Sequence, residues 1–135
     1  MSRTQARYAI LATILFIAGV HIFAMLNDYY FYFRWLDIPM HMLGGFWIGL
    51  VAVTTLQWKQ GRAMTIEERL AYTFLIAFGI GVFWEFFEYC SDTLFHLESY
   101  VYDAEDTFSD LLNDFIGGTV AGLIGKVHIH RNEQT

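Results

Sequence analysis

Six side chains of the kinds that bind metals or move protons fall into three pairs: Asp37 with His41, Glu85 with Glu88, and Asp110 with Asp114. The spacings are i,i+4, i,i+3 and i,i+4, so each pair shares one face of a helix. One imidazole among carboxylates is a mixed N/O ligand set. It suits zinc, manganese or iron, whereas magnesium or calcium is more often held by oxygen alone. In such a site His41, Glu85, Glu88 and Asp110 would bind the metal. Asp37 or Asp114 would orient ligands or act as general base on a water. Without a metal, the same groups are the material of a proton relay, a transporter site or a sensor. No serine or cysteine nucleophile beside a base is evident. Cys90, the one cysteine, excludes an intramolecular disulfide and a multi-cysteine zinc site.

The elements that must position these pairs are written in the hydropathy. The chain has 135 residues, of which 56% are hydrophobic and 19% aromatic. So short a chain cannot bury that much apolar surface away from water, so the solvent for much of it is lipid. Residues 8–26 and 38–58 contain no Asp, Glu, Lys or Arg, and within 70–90 the only such residues are Glu85 and Glu88. A spanning helix needs roughly 20 residues. The stretch 111–125 is shorter and carries Asp114, and it reaches spanning length only if its helix begins near Thr107 and takes in Asp110. The expected fold is all-α: an integral membrane four-helix bundle forming one transmembrane domain over 1–135. Its helices are expected at about 8–28, 38–58, 68–90 and 107–126, with an outer loop at 91–106. The first segment reads as a span, since it lacks a small-x-small cleavage site.

Charge gives the orientation. Arg3, Arg7, Lys59, Arg62, Arg69, Lys126 and Arg131 fall on one side of this layout, and Arg34 alone on the other. The positive-inside rule puts both termini in the cytoplasm of a multi-pass protein of the inner (plasma) membrane. Thr65 with Glu68 three residues on reads as a capping box opening the third helix. The aromatic run NDYYFYFRWLD between the first two helices suits the headgroup layer, with ligand stacking as the alternative. The net charge of −6 does not favour nucleic acid. The partners expected are membrane lipids, a lipid-linked substrate and a second copy in a homo-oligomer.

Depth brings the pairs together. At 1.5 Å per residue from Arg69, Lys126 and Lys59, Glu85 and Asp110 come out about 24 Å up and His41 about 27 Å up. Glu88 follows at about 28 Å, Asp114 at about 18 Å and Asp37 at about 33 Å. Three helices thus place ionisable groups in one layer, the outer part of the bilayer. A charge facing lipid there costs about 2.5–3.5 kcal/mol, so the pairs should turn inward. Crowded carboxylates must then share protons or be neutralised by a cation. Glu85, the deeper glutamate, is expected at the centre, meeting His41 and Asp110. Plainer readings exist for each group. Asp37 before Ile38-Pro39 could be an N-cap. Asp106 or Thr107 could cap the fourth helix with Asp110 in its first turn. The two glutamates could be wet in the headgroup layer, and His41 could be a packing residue. His21 reads as structural or as an extra ligand; Asp92 and His96 carry weaker signals. Gly45-x3-Gly49 and Gly118-x3-Gly122 are close-packing patterns.

DIPMHMLGG, WEFFEY and DTFSDLLNDFIGG, in that order, resemble the VanZ-like group of small bacterial membrane proteins, and still more its YjdF-like relatives. The resemblance covers roughly residues 35 to 125. It implies an Asp-x3-His opening one helix, a Glu with a second acid three residues on, and a final helix beginning with Asp and continuing into glycines. Asp37, His41, Glu85, Glu88, Asp110 and Asp114 occupy those positions. The resemblance implies a role in the cell envelope and no specific reaction.

Overall fold

The computed structural model describes residues 1–95 and 104–127, and every regular element in them is helical. Helix α1 (Arg3–Leu26) is followed by a single turn, α2 (Tyr29–Tyr32), and a 3-10 turn (Arg34–Leu36). Three long helices follow: α3 (Asp37–Gln60), α4 (Ile66–Phe95) and α5 (Ala104–Ile124). The stretches 3–26, 34–60 and 66–91 are long and apolar enough to cross a membrane. Helix α5 has the length of a span but carries Glu105, Asp106, Asp110 and Asp114.

The helix ends differ from the sequence expectation for identifiable reasons. Helix α1 begins at Arg3, ahead of the expected 8, because Ser2 and Gln5 form a capping box: Gln5 N donates to Ser2 Oγ (3.1 Å) and Ser2 N to Gln5 Oε1 (2.8 Å). The expected box at Thr65 is present, with Glu68 N on Thr65 Oγ1 (3.2 Å) and Thr65 N on Glu68 Oε2 (2.9 Å). Arg62 grips the same carboxylate through two nitrogens, at 2.6 and 2.8 Å, which raises its guanidinium pKa. Helix α4 runs to Phe95 because SDTLF holds no glycine or proline to stop it. Ser91–Phe95 and Ala104–Asp106 are therefore helical, where a loop over 91–106 was expected. Asp37 is the first residue of α3 and not its N-cap: Leu36, delivered by the 3-10 turn, occupies the cap. Asp106 and Thr107 likewise lie inside α5; Asp106 and Glu105 occupy its first turn, where the helix dipole favours acids.

The packing is inside-out. Large apolar side chains point outward: Leu15 is 63% exposed, Leu75 64%, Phe83 68% and Phe86 62%. Most buried positions are small or polar, with Leu50 and Val53 of α3 as large apolar exceptions. On α5 they are Asp110, Asn113, Asp114, Gly117, Gly118, Ala121 and Gly122, one continuous helical stripe. On α4 the stripe is Arg69, Thr73, Ala77 and Gly81 at four-residue steps, with Glu85 next in line. A surface of this kind is satisfied by lipid, and a core of this kind lets helices approach closely. Helices α3, α4 and α5 pack on one another, and α1 lies chiefly along α3. At Gly117 an added Cβ would fall on the Met42 carbonyl, and at Gly45 on that of Asp114. The two close-packing patterns meet at Gly49 and Gly118, with Gly118 Cα 3.2 Å from where a Gly49 Cβ would be.

One end of this three-helix unit is tied by buried polar groups. Gln57 Nε2 donates to the Gly125 carbonyl (2.7 Å), and Gln57 Oε1 accepts from Val127 N (3.2 Å) and Met64 N (3.4 Å). Arg69, only 6% exposed, donates to the carbonyls of Gly122 (2.7 Å) and Met64 (2.9 Å). Gly122 belongs to the last turn of α5, whose carbonyls lack helical partners and carry the negative end of the dipole. Helix α1 is joined to α3 by Trp47 Nε1 on the Ile10 carbonyl (3.0 Å) and by Arg7 over the Trp58 ring (5.8 Å).

Candidate metal centre

The three pairs meet at the opposite end of the bundle. The first turn of α3 presents Asp37 and His41, the first half of α5 presents Asp110 and Asp114, and α4 brings Glu85 and Glu88 alongside. His41, Asp110 and Asp114 are all buried. The shape follows from the glycines. The contact at Gly45 lets the α5 backbone at Asp114 lie directly on α3, and a Cβ at Gly81 would stand 2.5 Å from Asp114 Oδ2. Glycines on two helices thus make the room that one aspartate occupies.

His41 is the hub. Its Nδ1 lies 3.4 Å from Asp114 Oδ2. Its Nε2 lies 3.8 Å from Asp37 Oδ2 and 4.0 Å from Asp110 Oδ2. Two sets of prospective ligand atoms, each within 4.8 Å of one another, share this residue: Asp37, His41 and Asp110, and His41, Glu85 and Glu88. The expectation that Glu85 is the central group, meeting both His41 and Asp110, is therefore revised. Glu85 groups with His41 and Glu88, while Asp110 groups with His41 and Asp37. Pair spacing gives the face of each helix but not the rotation of one helix against another.

Two details bear on chemistry. Glu85 Oε1 is buried and accepts no hydrogen bond; a carboxylate oxygen in that condition costs free energy unless a cation or proton meets it. The Asp114–His41 contact is the arrangement in which a carboxylate holds one ring nitrogen and leaves the other to a ligand. His21 belongs to neither ligand set: its Nδ1 pairs with the Tyr30 hydroxyl at 2.8 Å, anchoring the aromatic turn α2 to α1. Along the same turn, the Phe23–Tyr29 and Tyr29–Phe33 rings meet edge to face. Asn113 was not singled out from sequence. It lies 8% exposed on the face carrying Asp110 and Asp114, three residues beyond the former, and that spacing was the available signal. His96, His128 and His130 lie outside the described residues, and Cys90 is free and half-buried.

A family model described as "Predicted membrane protein (DUF2238)" matches residues 2–131. No curated protein and no solved structure matches the chain.

Proposed function

We propose that this chain, which belongs to the DUF2238 family of predicted membrane proteins, holds a divalent metal through His41 and its surrounding carboxylates in the outer half of the bilayer. The metal is zinc, manganese or iron, by the softness of an N/O ligand set. The observation that carries the reading is His41 with one nitrogen on Asp114 and the other facing Asp37 and Asp110, beside the unpartnered Glu85 oxygen. A metal there would supply Lewis-acid chemistry to a hydrolase or transferase acting on a lipid-linked or envelope substrate. Asp114 holds the imidazole in one tautomer. Asp37, whose side chain is 36% exposed, is placed to take up and return a proton. The resemblance of its motifs to those of VanZ-like and YjdF-like proteins is consistent with an envelope setting.

The test is elemental analysis of purified protein. A stoichiometric transition metal is expected, and Glu85→Gln should lose most of it with helix content unchanged. Glu67→Gln, on the exposed first turn of α4, should keep it. Equal metal in both variants would remove Glu85 from the site. Absence of metal after reconstitution would favour the second reading, a non-enzymatic ion or proton site, which the carboxylates on both sides of His41 also support.

The same proposal includes four spans with both termini in the cytoplasm. The three apolar helices and the distribution of basic residues support it. A reporter fused after Gln60 should read cytoplasmic and one fused after Asp28 external. The reverse pattern would move the site to the inner leaflet.

A further inference from the structure

We infer that the cleft between α1 and α4 admits one apolar chain of a membrane amphiphile and brings its uncharged, hydroxyl-bearing head to His41 and Glu88. The cleft encloses about 300 Å³, the lower end of ligand-pocket volumes and room for one chain. Its polarity is graded, and three helices give the same gradient independently. On α1 the lining runs from Ile14 to His21, on α3 from Ile48 to His41, and on α4 from Ile80 to Glu88. Each apolar member lies seven or eight residues from its polar partner, about 10–12 Å along the helix. The polar members all stand at the level of the carboxylate layer and the apolar ones nearer the middle of the bundle. A lipid in one leaflet has that same order, head outward and chain toward the bilayer centre. Helix α1 packs chiefly on α3, so the cleft has α3 as its floor, with α1 and α4 as walls.

The head group follows from charge. Asp37, Glu88 and Asp114 reach the cleft, and among the described residues no lysine or arginine lines it. A phosphate would meet carboxylates there. A hydroxyl donates to them, whether or not a cation is also present. The inference deepens the function proposed above by naming a substrate class, and it rests on that reading for any reaction at the head.

The experiment uses full-length protein in phosphatidylcholine nanodiscs and a monoacylglycerol with a diazirine in mid-chain. Photolabelling should concentrate on Ile14, Ile17, Ile48 and Ile80. Ala18→Phe, which plugs the cleft from α1, and Ile48→Trp, which plugs it from α3, should each lower that labelling at least tenfold. Ala12→Phe, on the outward face of α1, should leave it unchanged. Labelling spread evenly over Leu15, Leu75 and Phe83, or unaffected by both plugs, would overturn the proposal. So would equal or stronger labelling by the matching lysophosphatidic acid, whose head is a phosphate. Metal content is measured on the same samples. Cleft labelling without metal sinks the metal reading and leaves this inference standing; metal without cleft labelling sinks this inference alone.

Discussion

His41→Ala should strip the metal from the protein. It is the one residue common to both prospective ligand sets, and the only nitrogen donor in either. Its loss leaves buried carboxylates with no imidazole between them, so occupancy should fall further than for any single carboxylate change. Asp114→Asn is the informative companion. The amide keeps the size and a carbonyl oxygen for Nδ1 but loses the charge that makes the ring a better ligand. Loss of such a supporting partner costs roughly 10–100-fold in metal affinity, so Asp114→Asn should bind weakly and be rescued by excess metal. Asp106→Asn, exposed in the first turn of α5, should behave as wild type. Affinities come from competition with a metallochromic chelator and folding from circular dichroism. Equal affinity in His41→Ala and wild type would leave the site without its hub and end the metal reading.

Gly117→Ala should be the most damaging single-methyl change in the protein. The new Cβ lands on the Met42 carbonyl, and the Phe46 backbone nitrogen stands only 2.7 Å from the same point. Backbone cannot rotate aside as a side chain can, so α3 and α5 must separate. Ordinary overpacking costs about 1–3 kcal/mol; this contact should meet or exceed the top of that range. Gly79→Ala is the matched control on α4. Nothing lies within 4 Å of its Cβ, so the change should be neutral or stabilise by up to about 1 kcal/mol through lost backbone entropy of the unfolded chain. Thermal unfolding in detergent compares them. Similar midpoints for the two would mean that the close crossing of α3 on α5 is absent in solution.

Much of this arrangement was legible in the chain because membrane helices obey simple counting. Hydropathy gave the three apolar helices. Depth from the basic residues put Glu85, His41 and Asp110 at one level, and pair spacing turned them to one face. Thr65 and Glu68 declared their cap. What counting cannot give is azimuth, which is why His41 and not Glu85 joins the two sets. Nor can it tell an anchor from a lock. Arg69 reads as one more cytoplasmic charge, yet it is buried and bonded to two carbonyls, because α5 ends where its guanidinium can reach. Asp37 could be read as a cap because proline follows two residues on; the 3-10 turn before it gives that place to Leu36.

The Gln57 and Arg69 ties also bear on how the protein meets bilayers of different thickness. They join α3, α4 and α5 at one end, while the glycine crossing joins α3 to α5 near the other, so these helices are expected to tilt as one body. Arg69 lies at the tied end and, with both termini cytoplasmic as proposed, would set that body's depth against the inner face of the membrane. Hydrophobic mismatch is otherwise absorbed by tilt of individual helices. Here the helix with fewest internal ties is α1, one wall of the cleft. A change in lipid length is therefore expected to reset the width of the cleft and to leave the distances around His41 as they are.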